Sequence, residues 1–101
     1  MVDIPKSWMP KADMKRIVAH WTAGAYKPTG IDYAHYHILV DGDSKLIKGS
    51  RSIKDNESTA GKYAAHTKGL NSGSIGISAC CMADADQATK NYGVAPMKES
   101  Q

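Results

Sequence analysis

Residues 33–48 read YAHYHILVDGDSKLIK, and this stretch decides the fold. The run 33–40 is rich in strand formers, Asp41-Gly42-Asp43-Ser44 follows, and residues 45–48 give a second, shorter run. Asp-Gly supplies the positive-φ turn that joins two antiparallel strands, so the stretch predicts a β-hairpin. On its N-terminal side, residues 16–22 (RIVAHWT) form a short apolar run that Gly24 closes, which predicts a buried strand with His20 near its C-terminal end. On the other side, a compact strand is expected from Ser74 to about Cys81. The connections read as loops: residues 23–32 with room for one helical turn, residues 49–61 polar and irregular, and residues 84–93 a polar surface loop that includes Asp84 and Asp86. Residues 1–14 carry Pro5 and Pro10 without apolar periodicity and read as an irregular arm, with Trp8 packing on the domain. Pro96 to Gln101 looks like the first turn of a helix, with proline where a missing N–H costs nothing.

Composition narrows the function classes. With 101 residues the chain fits one domain, and 42% hydrophobic with 23% charged residues excludes a charge-driven disordered chain or a fibre. The net charge of +3 is spread along the chain, so no basic stripe points to nucleic acid. No apolar run approaches the ~18 residues that span a bilayer, and the first residues lack a signal-peptide core. A protein without membrane or nucleic-acid partners is expected. Cys80 and Cys81 are adjacent and read as free thiols packed as small hydrophobic groups.

Four histidines offer acid–base or metal chemistry. His20, in an apolar strand, reads first as a hydrogen-bonded core histidine and second as a ligand. His35 and His37 lie two apart on the expected strand, so they share a face and make either a His-x-His chelate or one packed and one solvated ring. His66, in AAHTKG, lines a site or sits in an exposed loop. Tyr36 alternates to the other face, as a core tyrosine or as a hydroxyl donor to a developing oxyanion. Asp41 to Ser44 lacks the glycine and glutamate of a calcium loop and reads as a turn.

Three segments in order, IVAHWTAG (17–24), YHILVDGD (36–43) and AHTKGLNSGSIGIS (65–78), resemble the zinc-dependent N-acetylmuramoyl-L-alanine amidases. That family is shared by phage lysins, bacterial cell-wall amidases and peptidoglycan-recognition proteins. The resemblance covers roughly residues 14–80. It implies an α/β fold with a mixed central sheet flanked by helices and a zinc site at one edge. His20 matches a zinc ligand and Tyr36 the tyrosine of the catalytic cleft. His66, with Lys68 and Asn71 of the same segment, is expected on the substrate side. Many bacterial members carry a glutamate as general base where this chain has Ser78.

The implied reaction is hydrolysis of the amide between N-acetylmuramic acid and L-alanine of peptidoglycan by a zinc-activated water, as in an endolysin held in the cytoplasm until lysis. A cytoplasmic recycling amidase fits the same pattern. The family's second and third ligands lie past the helix that Pro96 is expected to begin, so the resemblance implies a domain of ~150 residues lacking its C-terminal helix and strand. The missing part would belong to a longer protein, or to a second chain or fragment. Two other readings stand beside this one: a zinc-free, non-catalytic peptidoglycan-binding module, and an unrelated zinc site built from His20, His35, His37 or His66.

Overall fold

The computed structural model describes residues 4–83, 85 and 93–101. Strands β1 (Arg16–Trp21), β2 (Ile38–Val40), β3 (Leu46–Lys48) and β4 (Ser74–Ala79) form one mixed sheet in the order β1-β4-β2-β3. The last strand in sequence thus lies between the first two. It runs parallel to β1, with His20 opposite Ser78, and parallel to β2, with Leu39 opposite Ser78. β2 and β3 are the antiparallel hairpin, with Leu39 opposite Ile47. Helical structure among the described residues is slight: α1 (Gly30–His35) and two 3-10 turns, Lys6–Trp8 and Ile53–Glu57. The class is α/β with a mixed sheet, as the sequence led us to expect.

β4 sits centrally because of its composition. Ser74, Gly76 and Ser78 alternate with Ile75, Ile77 and Ala79, and five of the six positions are buried. Small side chains let other segments close over one face, while Ile75 joins Ile38 in the core. Leu39, Ile53, Ala64, Cys80 and Cys81 complete the most buried apolar set. At the β1 edge the sheet is bare: Ile17 is 64% and Trp21 58% exposed. Among the described residues, no helix is long and apolar enough to cross a membrane.

Several local expectations are corrected. The strand expected over 33–40 is only Ile38–Val40, because α1 takes residues 30–35. The cause is a capping interaction: the Thr29 N–H donates to Asp32 Oδ2 at 2.8 Å, and the Tyr36 N–H closes the helix on the Asp32 carbonyl at 3.1 Å. His35 therefore ends a helix and is exposed, while His37 is buried, so the two do not share a strand face. A second pair of the same kind, the Ser52 N–H on Asp55 Oδ2 at 3.0 Å, starts the 3-10 turn inside the stretch expected to be irregular. Likewise, the N-terminal arm contains one 3-10 turn, in which Trp8 is half-buried.

The hairpin forms, but its left-handed residue is Ser44, with φ 64°, rather than Gly42. Gly42 answers a different constraint, since a Cβ there would lie 2.5 Å from Cβ of Tyr26. Asp41, 1% exposed, organises the turn: its Oδ1 accepts from the N–H groups of Asp43 and Lys45, both at 2.9 Å, and its Oδ2 faces Lys27 Nζ at 3.1 Å. Burial alone would raise its pKa, but the hydrogen bonds from Lys45, Lys27 and Asp43 outweigh it and hold the carboxyl below its ordinary value.

Residues 96–101 do not form the expected helical turn. A Gln101 N–H to Lys98 carbonyl turn closes the segment, and the Gln101 carboxamide donates to the carbonyls of Cys80, Asp41 and Val40 at 3.0, 3.1 and 3.2 Å. The carbonyls at the strand ends give the segment partners that a helical turn would forgo. The loop expected over 84–93, with Asp84 and Asp86, falls largely outside the described residues.

Candidate functional site: a histidine cluster on the small-residue face of the sheet

His20 is carried by β1, and the loop before β4 brings His66 to it across 46 positions of sequence, His20 Nε2 to His66 Nδ1 at 3.2 Å. Thr67 Oγ1 lies 2.9 Å from the same His20 nitrogen and 3.1 Å from His66 Nδ1, so three polar atoms form a tight triangle. The Tyr36 ring stands 5.4 Å from that of His20, and the His37 ring 5.7 Å from that of His66.

Each ring has a definable role. His37 Nδ1 accepts from the Gly76 N–H at 2.9 Å, so its Nε2 carries the proton and donates to Asn56 Oδ1 at 3.1 Å. Both nitrogens are occupied, and a ring 2% exposed in that state is a structural group, neither base nor ligand. Burial lowers its pKa, against the opposing bond to Asn56. In His66, Nε2 faces the Ser74 carbonyl at 3.4 Å, which fixes the proton there and leaves the Nδ1 lone pair toward His20. Burial drives this imidazole down to about 4 and also lowers His20. The cluster is therefore neutral at pH 7.

The loop carrying His66 is held by Asn71, whose Oδ1 accepts from the N–H groups of His66 and Thr67 at 2.9 and 2.8 Å. Gly69, at φ +82°, completes the turn, and the Leu70 N–H donates to the Thr67 carbonyl. Asn71 thus positions His66, and its amide oxygen is turned inward; Lys68 is exposed on the same loop. Beneath the His66 ring lies Gly76, where a Cβ would come within 2.5 Å of Cγ of the ring. Ser78, 0% exposed and opposite His20 in the β1–β4 register, has a buried Oγ with no hydrogen-bond partner. Burial raises the Tyr36 phenol, with the nearby Ser78 hydroxyl opposing, so Tyr36 stays protonated as a donor.

Of the residues singled out in the sequence, the fold gathers His20, Tyr36 and His66, removes His35, and gives His37 a structural role. Thr67 and Asn56 were not anticipated. Thr67 follows His66 directly, and a hydroxyl neighbour was the available signal; nothing local marks Asn56. Among the described residues, no three His, Cys, Asp or Glu side chains group as a metal site. An apolar groove of about 450 Å³, lined by Trp21, Met82, Pro96 and Met97, contains no titratable side chain. No family model, curated protein or solved structure matches this chain.

Two predictions follow from the ionisation states. Burial raises the Cys80 thiol to about 11 and raises that of Cys81. Iodoacetamide at neutral pH should leave both unmodified in the native chain and label both in concentrated guanidinium, read by mass; rapid native labelling would contradict their burial. For His37, whose native pKa lies below the ordinary 6.5, the unfolded chain binds the proton more readily. Its contribution is therefore complete above pH ~6.5 and is lost as pH falls below that value. In chelator, thermal stability should drop between pH 7 and 5, and His66, driven down to about 4, acts in the same direction. A melting temperature that rises on acidification would refute this.

Proposed function

We propose that this chain takes part in hydrolysis of the amide between N-acetylmuramic acid and L-alanine of peptidoglycan, with an amidase-like fold, His20 as a zinc ligand and Tyr36 as a donor to the scissile oxygen. The observation that carries the reading is the meeting of His20, Tyr36 and His66 on one sheet face, from three separate segments, with neutral imidazoles and a protonated phenol. A neutral ring whose Nε2 faces a second imidazole nitrogen and a hydroxyl suits zinc.

When bound, zinc polarises the carbonyl and lowers the pKa of its water. The chain's own residues orient and donate. Tyr36 offers a hydroxyl to charge developing on the carbonyl oxygen. Thr67, on His20 Nε2 and His66 Nδ1, fixes how the two rings face each other. Catalytic zinc uses three protein ligands, so further donors are proposed to come from outside the described residues. Cytoplasmic storage before access to the wall belongs to the same proposal.

The test is release of free amino termini of L-alanine from purified peptidoglycan with added zinc. Chelator and His20→Ala should abolish release, and Tyr36→Phe should slow it ~10²-fold. Pulldown of peptidoglycan without release, indifferent to chelator, would replace this reading by the non-catalytic binding module.

A further inference from the structure

The geometry points to His66 as a second metal ligand, binding a divalent zinc-type ion through Nδ1 together with Nε2 of His20. This rests on the reading above that the cleft takes zinc, but it assigns to His66 a metal-binding role in place of a substrate contact.

Four observations converge on it. The two nitrogens are 3.2 Å apart, and ligand nitrogens at ~2.0–2.1 Å from a tetrahedral zinc stand ~3.3 Å from each other, so the pair has the spacing of two ligands of one ion, with Thr67 Oγ1, 2.9 and 3.1 Å from the two nitrogens, as the group that gives way. The His66 tautomer is already the ligating one, because Nε2 faces the Ser74 carbonyl and leaves Nδ1 as the lone-pair nitrogen. That carbonyl is the kind of outer partner that metal-bound histidines use to fix ring orientation. The ring is also held in place: Asn71 fastens the backbone of His66 and Thr67, and Gly76 gives the ring its bed on β4. Finally, the third nearby imidazole, His37, is excluded by having both nitrogens occupied, which makes the site a two-histidine one with its other positions left to solvent, substrate or further donors.

The experiment uses the full chain, stripped of metal, with Zn²⁺ alone as the probe. Calorimetric titration gives the affinity, and ¹⁵N shifts of the histidine rings give the bound atom. One equivalent is expected, with His66 metallated at Nδ1 and His20 at Nε2. His20→Ala and His66→Ala should each weaken binding at least ~10-fold, while His35→Ala leaves it unchanged. Should His66→Ala fail to fold by circular dichroism, His66→Gln and the wild-type ring shifts carry the test. Binding lost in His20→Ala but unchanged in His66→Ala, or a His66 Nδ1 shift that does not respond to zinc, overturns the proposal while leaving the amidase reading intact. Zinc bound by both rings with no peptide release does the reverse.

Discussion

Asn56→Ala is expected to destabilise the chain by at least about 3 kcal/mol, a large part of the ~5–15 kcal/mol that holds a small domain together. Asn56 is 0% exposed and its side chain makes four hydrogen bonds. Its Oδ1 accepts from the Ala64 N–H at 2.8 Å and from His37 Nε2 at 3.1 Å; its Nδ2 donates to the carbonyls of Ala64 and Asn71 at 2.9 and 3.1 Å. One carboxamide thus ties the 3-10 turn to the His66 loop and to the histidine that leads into β2. Truncation removes all four bonds and strands the Ala64 N–H and the His37 N–H, in residues 0% and 2% exposed. Each buried orphan costs ~1–3 kcal/mol, far more than a surface contact gains. Lys54→Ala, on the exposed side of the same turn, should stay within about 0.5 kcal/mol. Urea unfolding compares the two, and equal midpoints for Asn56→Ala and the parent chain would show that the network does not hold the site.

How far the sequence discloses this arrangement depends on the range of the contacts. β1, β4 and the hairpin are legible because short runs of strand formers bounded by turn residues are local signals, although Ser44 and not the Asp-Gly pair takes the positive φ between β2 and β3. α1 is missed because Tyr33-Ala34-His35-Tyr36-His37 has strand-like composition, although Thr29 and Asp32, three apart, carry the helix-start signal that decides it. The helix in turn separates His35 from His37, which composition alone would have paired. His20 and Tyr36 could be picked out through the family resemblance, but their relation to His66 could not be read from spacing, since it crosses 46 residues and depends on β4 passing between β1 and β2. Asn71 shows a different limit. A short polar side chain in a loop bonds its own neighbourhood as readily as a ligand, and here its oxygen serves the backbone of His66 and Thr67.

Gly76→Ala tests the support of the site with a single methyl group. The added carbon would lie 2.5 Å from Cγ and 2.7 Å from Cδ2 of His66, well inside contact distance, and one side must give. The strand cannot readily retreat, because the Gly76 N–H is bound by His37 Nδ1 and the Gly76 carbonyl by the His37 N–H, both at 2.9 Å. The ring therefore has to lift, parting Nδ1 from His20 and Nε2 from the Ser74 carbonyl. Overpacking of this kind costs ~1–3 kcal/mol, which the chain should survive as a folded protein. Gly61→Ala, where nothing lies within 4 Å of the added carbon, is the matched control and should be close to neutral. With the ring displaced, Gly76→Ala should weaken zinc binding at least ~10-fold without removing any donor atom, an effect of lost orientation of the order seen when a ligand's supporting shell is cut. A variant that folds and keeps both the parent His66 ring signals and the parent zinc affinity would show that the bed under His66 does not set the geometry of the pair.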